Sequence, residues 1–412
     1  MRTLQSLVAV GLIVGITTKH ATADEPGPQL VEVTVGNDVG DFRGDDGRVL
    51  QAAVDYVARL GGGTIRVGPG RFLMRNSLIL SDNIQILGTP GRTVLVNCDA
   101  HQSKLSSSGG TNERQVTVDE PDGFRIGDGV MVQDDKSMYG FTVTQATITA
   151  RLDKHTFQIS VPLVRDYFAT RNARVTSGFP VVAARNAKNI AIEGLTIDGN
   201  SDNMQYLTGC RGGGIYLFEC ENVTVRSCHV HNYNGDGISF QTTQHVTIRD
   251  CICEGNTGVG LHPGCGTEHA VVRGTRCTNN KGDGLFLCWR VKHCIFEGND
   301  LSDNQRHGIS IGMKDSDNEF RDNTVSSNSL TGVFFRKQPA ANGAHRNVFE
   351  ANRILDNGVS VKIEGEHHEL VFRENRIGYT TAPAEKQVAI QAGDGAAKLE
   401  ADNNEFINVN PK

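Results

Sequence analysis

Apolar and polar residues in the second half of the chain recur with two nested periods. Within short runs such as Ile238-Ser-Phe-Gln and His245-Val-Thr-Ile they alternate every second residue, the period of a strand with one buried face. The runs themselves restart every 23 or 24 residues, at Gly214-Ile-Tyr-Leu, Gly237-Ile-Ser-Phe, Gly260-Leu-His-Pro, Gly284-Leu-Phe-Leu, Gly308-Ile-Ser-Ile and Gly332-Val-Phe-Phe. Asn256, Asn280, Asn304 and Asn328 form a second register in steps of 24. A period of this length marks a solenoid, and its building blocks here are strands. Asparagine repeated at one turn position can hydrogen-bond its copies in the coils above and below.

The first hundred residues follow a different pattern. Leu30 to Val35 reads as a strand, and Asp45 and Asp46 can cap a helix from about Arg48 to Leu60. Val49, Leu50, Ala53, Val54 and Val57 form its apolar stripe, and Gly61-Gly62-Gly63 ends it. Short strands follow at Thr64–Val67, Arg71–Met74, Ser77–Leu80 and Asn83–Leu87. An amphipathic helix at this place serves as the cap of an open solenoid end.

Residues 101–176 break the repeat with longer alternating strands, Gln115–Val118, Gly129–Gln133, Thr142–Leu152 and Thr156–Val161. They predict a small β insertion with Val116, Phe124, Ile126 and Val130 in its core, and with Tyr139 and Tyr167 either in that core or against a ligand. The predicted organisation is a leader at 1–23, a cap with the first coils at 24–100, the insertion at 101–176 and the main solenoid at 177–412.

The leader is read from Arg2, the apolar run Leu7–Ile16 and the small-residue site Ala21-Thr22-Ala23, which predict a secretory signal peptide cleaved near Ala23. The expected location is therefore secreted or periplasmic. No later segment has the apolar length of a bilayer span. Loss of Arg2 and Lys19 with the leader takes the formal charge from −6 to −8, which argues against general nucleic-acid binding.

All ten cysteines lie between Cys98 and Cys294. Cys253 and Cys277 share an inward repeat position with Val230, Leu301 and Val325, and Cys228 and Cys251 share another, so stacked buried thiols are one reading. Export also permits disulfides, for which Cys210/Cys220 and Cys265/Cys288 are the candidates. Neither set has the spacing of a zinc site, and the sequence predicts no metal centre and requires no cofactor. Calcium stays a bare possibility, because Asp315 and Asp317 supply too few oxygens.

The series Asp46-Gly47, Ala52-Ala53, Gly61-Gly62-Gly63-Thr64-Ile65, Pro69-Gly70-Arg71-Phe72 and Asn83-Ile84-Gln85-Ile86-Leu87-Gly88 is similar to the opening of pectate-lyase-like single-stranded right-handed β-helix proteins. The later coils resemble the carbohydrate-binding repeats of the same superfamily. The resemblance implies an all-β fold, a right-handed parallel β-helix with an N-terminal capping helix and a β insertion. A narrower likeness joins Gly260-Leu-His-Pro, Gly284-Leu-Phe-Leu-Cys-Trp-Arg-Val, Gly308-Ile and Gly332-Val to the coils of periplasmic alginate C5-epimerases. That family carries Asp-Pro-His on one coil and an arginine on the next. Here His262 precedes Pro263, Gly264 stands in place of the histidine, and Trp289 aligns with the arginine, with Arg290 one residue later.

In the Gly-Ile-x-Phe strands the first and third residues after glycine are apolar and point inward, so the second and fourth point out. The second position reads Tyr216, Ser239, His262, Phe286, Ser310 and Phe334; the fourth includes Phe218, Gln241, Cys288 and Arg336; the sixth includes Arg290 and Lys314. Aromatics that stack on sugars, cations and few carboxylates predict a groove for an acidic polysaccharide, with Phe218, Ser239, Gln241, Phe286, Trp289 and Phe334 binding it. The expected chemistry is removal of the uronate C5 proton, as in a lyase or epimerase. His262 is the candidate base, Arg290, Lys314 and Arg336 neutralise the carboxylate, and Tyr216 moves a proton. Lys314 with Arg336 is a second possible centre, similar to that of some β-helix alginate lyases. Two alternatives are a glycoside hydrolase, which needs paired carboxylates such as Asp236, Asp283 or Asp315 near the strand edges, and a glycan-binding protein without catalysis.

Overall fold

A computed structural model describes residues 30–411 apart from 138–141, 384, 386 and 394. The leader and Tyr139 lie outside the described residues. From Val31 onward the chain winds into parallel coils whose strands align into three faces. Among the described residues one face has thirteen strands, a second has ten, and the third is divided into six and four. The pairing is parallel throughout the coils and in register, for example Ile215↔Ile238 and Ile238↔Leu261. This is the right-handed parallel β-helix.

The helix forms at Gly47–Arg59, with Asp46 as its N-cap accepting from the Arg48 N–H. Its buried stripe, Leu50, Ala53, Val54 and Val57, closes the end of the apolar core. No helix among the described residues is long and apolar enough to cross a membrane.

Identical side chains stack along the coil axis. Phe296, Phe320, Phe349 and Phe372 have successive ring centroids 5.0, 4.5 and 4.6 Å apart, close to the strand spacing. The asparagine register is a buried ladder: Asn256, Asn280, Asn304 and Asn328 each donate from Nδ2 to Oδ1 of the next asparagine at 2.9–3.1 Å, ending on Asn357. The ladder satisfies turn amides that the sheet cannot reach. The repeat glycines have a steric cause. A Cβ on Gly260 would lie 2.7 Å from the Gly284 carbonyl oxygen, and one on Gly284 2.9 Å from that of Gly308.

The insertion is a six-stranded antiparallel sheet made of Gln102–Lys104, Gln115–Thr117, Gly129–Gln133, Thr144–Arg151, Thr156–Ile159 and Arg174–Ser177. Val116, Phe124 and Val130 are in its core, together with Tyr167, whose hydroxyl bonds Thr144 at 2.9 Å. Ile126 is not: it is 64% exposed. It lies in the turn that Asp128 ties to Arg75, which directs the side chain away from the insertion core. All ten cysteines are free thiols. Cys253 and Cys277 stack in register inside the helix, as their shared repeat position implies.

Candidate functional site

The ten-stranded face carries the expected outward column in register. Tyr216 pairs with Ser239, Ser239 with His262, Phe286 with Ser310, and Ser310 with Phe334. The column is not an open groove along its whole length. Tyr216, Ser239, Gln241, His262 and Ser310 are all buried. The physical reason at Tyr216, Ser239 and His262 is the segment 204–212, which leaves the coil and folds over this face. Ser239 Oγ donates to the Gly209 carbonyl at 2.6 Å, and the Tyr216 hydroxyl donates to that of Cys210 at 3.1 Å. A Cβ at Gly209 would collide with Asp236 and His262, so only glycine lets the segment sit this close. Gln241 turns back to Ser239 Oγ and the His262 carbonyl. Phe218 stacks against Tyr216 with centroids 6.4 Å apart, under the Arg185 guanidinium. Burial pushes the Tyr216 hydroxyl up to about 12.

Beneath this cover His262 Nδ1 meets Asp236 Oδ2 at 2.6 Å. Burial disfavours a charged ring, but the Asp236 bond and the neighbouring Cys210 outweigh it and lift the His262 pKa to about 10. The imidazole is thus held protonated at neutral pH. Donor atoms of Cys210, His262 and Cys288 all lie within 4.8 Å of one another. The Cys210 thiol is lowered by hydrogen bonding to Cys288 and by His262, while the Cys288 thiol is raised by its Cys210 and Cys265 neighbours. Two sulfurs and an imidazole are a donor set that can hold a soft metal ion.

Arg336 lies further along the face. Its guanidinium lies 4.4 Å from the Phe286 centroid, donates to the Leu287 and Cys288 carbonyls at 2.6 and 3.1 Å, bonds Ser310 Oγ and pairs with buried Asp315 at 3.5 Å. Phe286 also meets His262 edge-on at 5.1 Å, which links the two halves of the site. Trp289, Arg290 and Lys314 are exposed at the turn that follows the strands. Arg290 and Lys314 have left-handed backbones with φ 58° and 60° and stand one coil apart, the Arg290 N–H donating to the Met313 carbonyl. Trp289, Arg290 and Lys314 therefore form a surface group of their own at that turn.

A second constellation joins Asp236 and Asp283, carboxylates near the strand edges in the sequence reading, to His307, which that reading did not single out. Asp236, Val259, Asp283, His307 and Thr331 occupy one column, each just before a repeat glycine. His307 is 6% exposed, its ring stacks on Phe334 at 4.5 Å, and its Nδ1 has no hydrogen-bond partner. Burial, then the charges of Arg306, Arg336 and Lys362, lower its pKa to about 4, so the ring is neutral at any pH above that. Asp283 accepts from the His307 backbone N–H at 3.1 Å, and burial pushes its carboxyl up to about 6. A neutral imidazole one coil from a carboxyl with a raised pKa, with Arg306 and Arg336 acting on both and Lys362 on the imidazole, is a group of perturbed titratable residues of the sort functional sites collect. The signal available in the sequence was that titratable residues recur in the column preceding glycine.

Comparison with known proteins places this fold in a class. The fold is similar to the A-modules of two Azotobacter vinelandii mannuronan C-5 epimerases. For AlgE4 the identity is 16%, with 92% of this chain and 98% of that chain covered at a TM-score of 0.50. For AlgE6 the identity is 16%, with 89% and 95% covered at 0.52. It is also similar to a hyperthermoactive exopolygalacturonase of Thermotoga maritima, at 13% identity, 92% and 93% coverage and a TM-score of 0.53. The chain is thus a right-handed parallel β-helix of the kind found in carbohydrate-active proteins. A family model described as NosD, periplasmic copper-binding protein, matches residues 189–378. No curated protein matches the sequence.

Proposed function

We propose that the protein is exported and acts on an acidic, uronate-containing polysaccharide by removing the C5 proton, as a lyase or a C5-epimerase. The observation that carries this reading is His307: a buried, neutral imidazole with an unpartnered Nδ1, within the field of Arg306, Arg336 and Lys362. A uronate C5 proton becomes acidic enough to remove only when the carboxylate charge is neutralised, and cations supply that in the transition state. His307 takes the role of base in place of His262, whose ring is already protonated and held by Asp236. Arg336 keeps its neutralising role. Phe286 and Phe334 give an apolar floor, while Trp289, Arg290 and Lys314 offer a stacking ring and two charges to flanking sugar units.

In elimination, the C5–H electron pair forms the C4–C5 double bond, the proton goes to His307, and the C4–O bond breaks with its electrons on oxygen. Asp283, a carboxylic acid up to about pH 6, supplies the proton that the leaving oxygen needs. In epimerisation His307 takes the same proton, the C4–O bond stays intact, and C5 receives a solvent-derived proton on the opposite face. Export is supported by the Ala21-Thr22-Ala23 leader pattern and by the periplasmic description of the matching family.

A hydrolase reading draws on Asp236 and Asp283, two coils apart and so separated by about 9–10 Å at a ~4.8 Å strand spacing, close to the ~6.5–9.5 Å of inverting glycosidases. It is the weaker reading, because both Asp236 oxygens are already committed, Oδ2 to His262 and Oδ1 to the Val259 N–H. The test is incubation of the mature protein with a panel of polyuronates and glycosaminoglycans. Ultraviolet absorbance reports unsaturated uronate ends, C5 inversion is read by proton NMR, and reducing ends are assayed in parallel. A chromophore or inversion on one polymer, lost in His307→Gln, supports the proposal; reducing ends alone favour the hydrolase, and no change on any polymer favours binding without catalysis.

A further inference from the structure

We propose that Cys210, His262 and Cys288 form a binding site for a soft monovalent cation, copper(I), which clamps the 204–212 segment onto the outer sheet face. This inference is independent of the glycan reading.

The three side chains come from three separate parts of the chain. Cys210 belongs to the covering segment, while His262 and Cys288 lie on successive coils of the face beneath it. Their donor atoms are within 4.8 Å of one another, a separation that a shared metal ion spans. His262 and Cys288 are 5% and 8% exposed, and Cys210 is half-buried, so the centre is screened from bulk water. A second observation points to a ligand. His262 Nε2 is buried and has no hydrogen-bond partner, whereas Nδ1 is fixed by Asp236 at 2.6 Å. A carboxylate on one ring nitrogen, with the proton on the other displaced by the ion, is the arrangement that orients metal-bound histidines.

The donor set decides the ion. Two thiolates and one imidazole suit a soft, three-coordinate cation, whereas structural zinc takes four ligands and calcium takes oxygen. Cys265 is the next sulfur, beside Cys288, so four-coordinate zinc is the competing occupant. Without metal the segment is held over Ser239 and Tyr216 by the hydrogen bonds to the Gly209 and Cys210 carbonyls. Bound copper(I) would add a cross-link between segment and sheet.

The test uses the full mature chain, reduced, metal-free and kept under anaerobic conditions. Copper(I) is titrated in competition with a chromophoric chelator, and X-ray absorption reads the coordination. The expected result is one tight equivalent with two sulfur neighbours and one nitrogen. That equivalent should be lost in Cys210→Ser, retained in Cys265→Ser, and weakened about 10–100-fold in Asp236→Asn. The inference is overturned by a tight equivalent that survives Cys210→Ser, by a sulfur-only shell, which would place the metal on core thiols, or by four-coordinate zinc held in preference to copper(I). A Cys210–Cys288 disulfide that resists mild reduction would overturn it too. Should Cys210→Ser fail to fold, the absorption spectrum of the unmodified chain decides alone.

Discussion

His262 Nδ1 lies 2.6 Å from Asp236 Oδ2, and the two side chains are only 6% and 5% exposed. The pair joins adjacent coils on the face that the 204–212 segment covers. Because the folded pKa of His262, about 10, is raised above its reference of about 6.5, the proton stabilises the native state. That contribution is fully present below pH ~6.5 and is lost as pH rises through ~10. The melting temperature should therefore fall between pH 7 and pH 10, and Asp236→Asn should flatten that slope. Each ~1 kcal/mol is worth roughly 2–4 °C in a domain of a few hundred residues, so the effect is measurable by calorimetry. A pH-independent melting temperature in the unmodified chain would count against the charged pair.

Asp283 gives a second stability effect. Its carboxyl is raised to about 6 by burial, so the folded state prefers it protonated. The native state is favoured below pH ~3.9 and loses that advantage as pH rises through ~6. Asp283→Asn should raise the melting temperature at pH 8 and yet abolish turnover, the pattern of a strained functional residue. A destabilised Asp283→Asn chain would assign the carboxylate a structural role.

Activity should follow a bell. The rising limb belongs to His307 losing its proton near pH 4, and the falling limb to Asp283 losing its own near 6. The profile of kcat/KM against pH should peak between those values. An optimum above pH 8 would exclude Asp283 as the acid. His307→Gln should lower kcat about 10²–10⁴-fold, the usual contribution of a positioned base.

The asparagine ladder is a stability element. Asn304 Oδ1 accepts from both the backbone N–H and the Nδ2 of Asn280, and its own Nδ2 donates to the Cys277 carbonyl and to Asn328. Asn304→Ala leaves these buried groups unpaired, at a cost of about 1–3 kcal/mol for each one not rescued by water. Urea unfolding should show a loss in that range or above it. A loss under about 0.5 kcal/mol would mean that water replaces the ladder.

The solenoid was legible in the sequence because its cause is local and repeated. Glycine recurs where a Cβ would strike the next coil, and alternation within each run sorts Ile238 and Phe240 inward from Ser239 and Gln241. The capping helix was legible from its stripe and from Asp46. Alternation tells which way a side chain points but not what lies over it, so the burial of Tyr216, Ser239 and His262 under residues 204–212 could not be read from the period. Cys210 lies outside the repeat, and only the path of that segment brings it to His262 and Cys288. Asp283 and His307 each precede a glycine, where turn geometry alone explains an aspartate, and nothing local marks His307 as buried and neutral. Ile126 was misplaced because a turn pinned by a distant arginine, Arg75, overrides the strand period around it.

The most direct test of the central claim is solvent deuterium at C5, since elimination and epimerisation both begin with loss of that proton. Polyuronates would be incubated with the mature protein in deuterium oxide, and substrate and products examined by NMR. The account predicts either deuterium at an inverted C5 or formation of the C4–C5 double bond on one polymer, each abolished in His307→Gln and strongly reduced in Arg336→Lys. Cleavage that leaves every C5 proton in place, or a C5 reaction unchanged in His307→Gln, would contradict it.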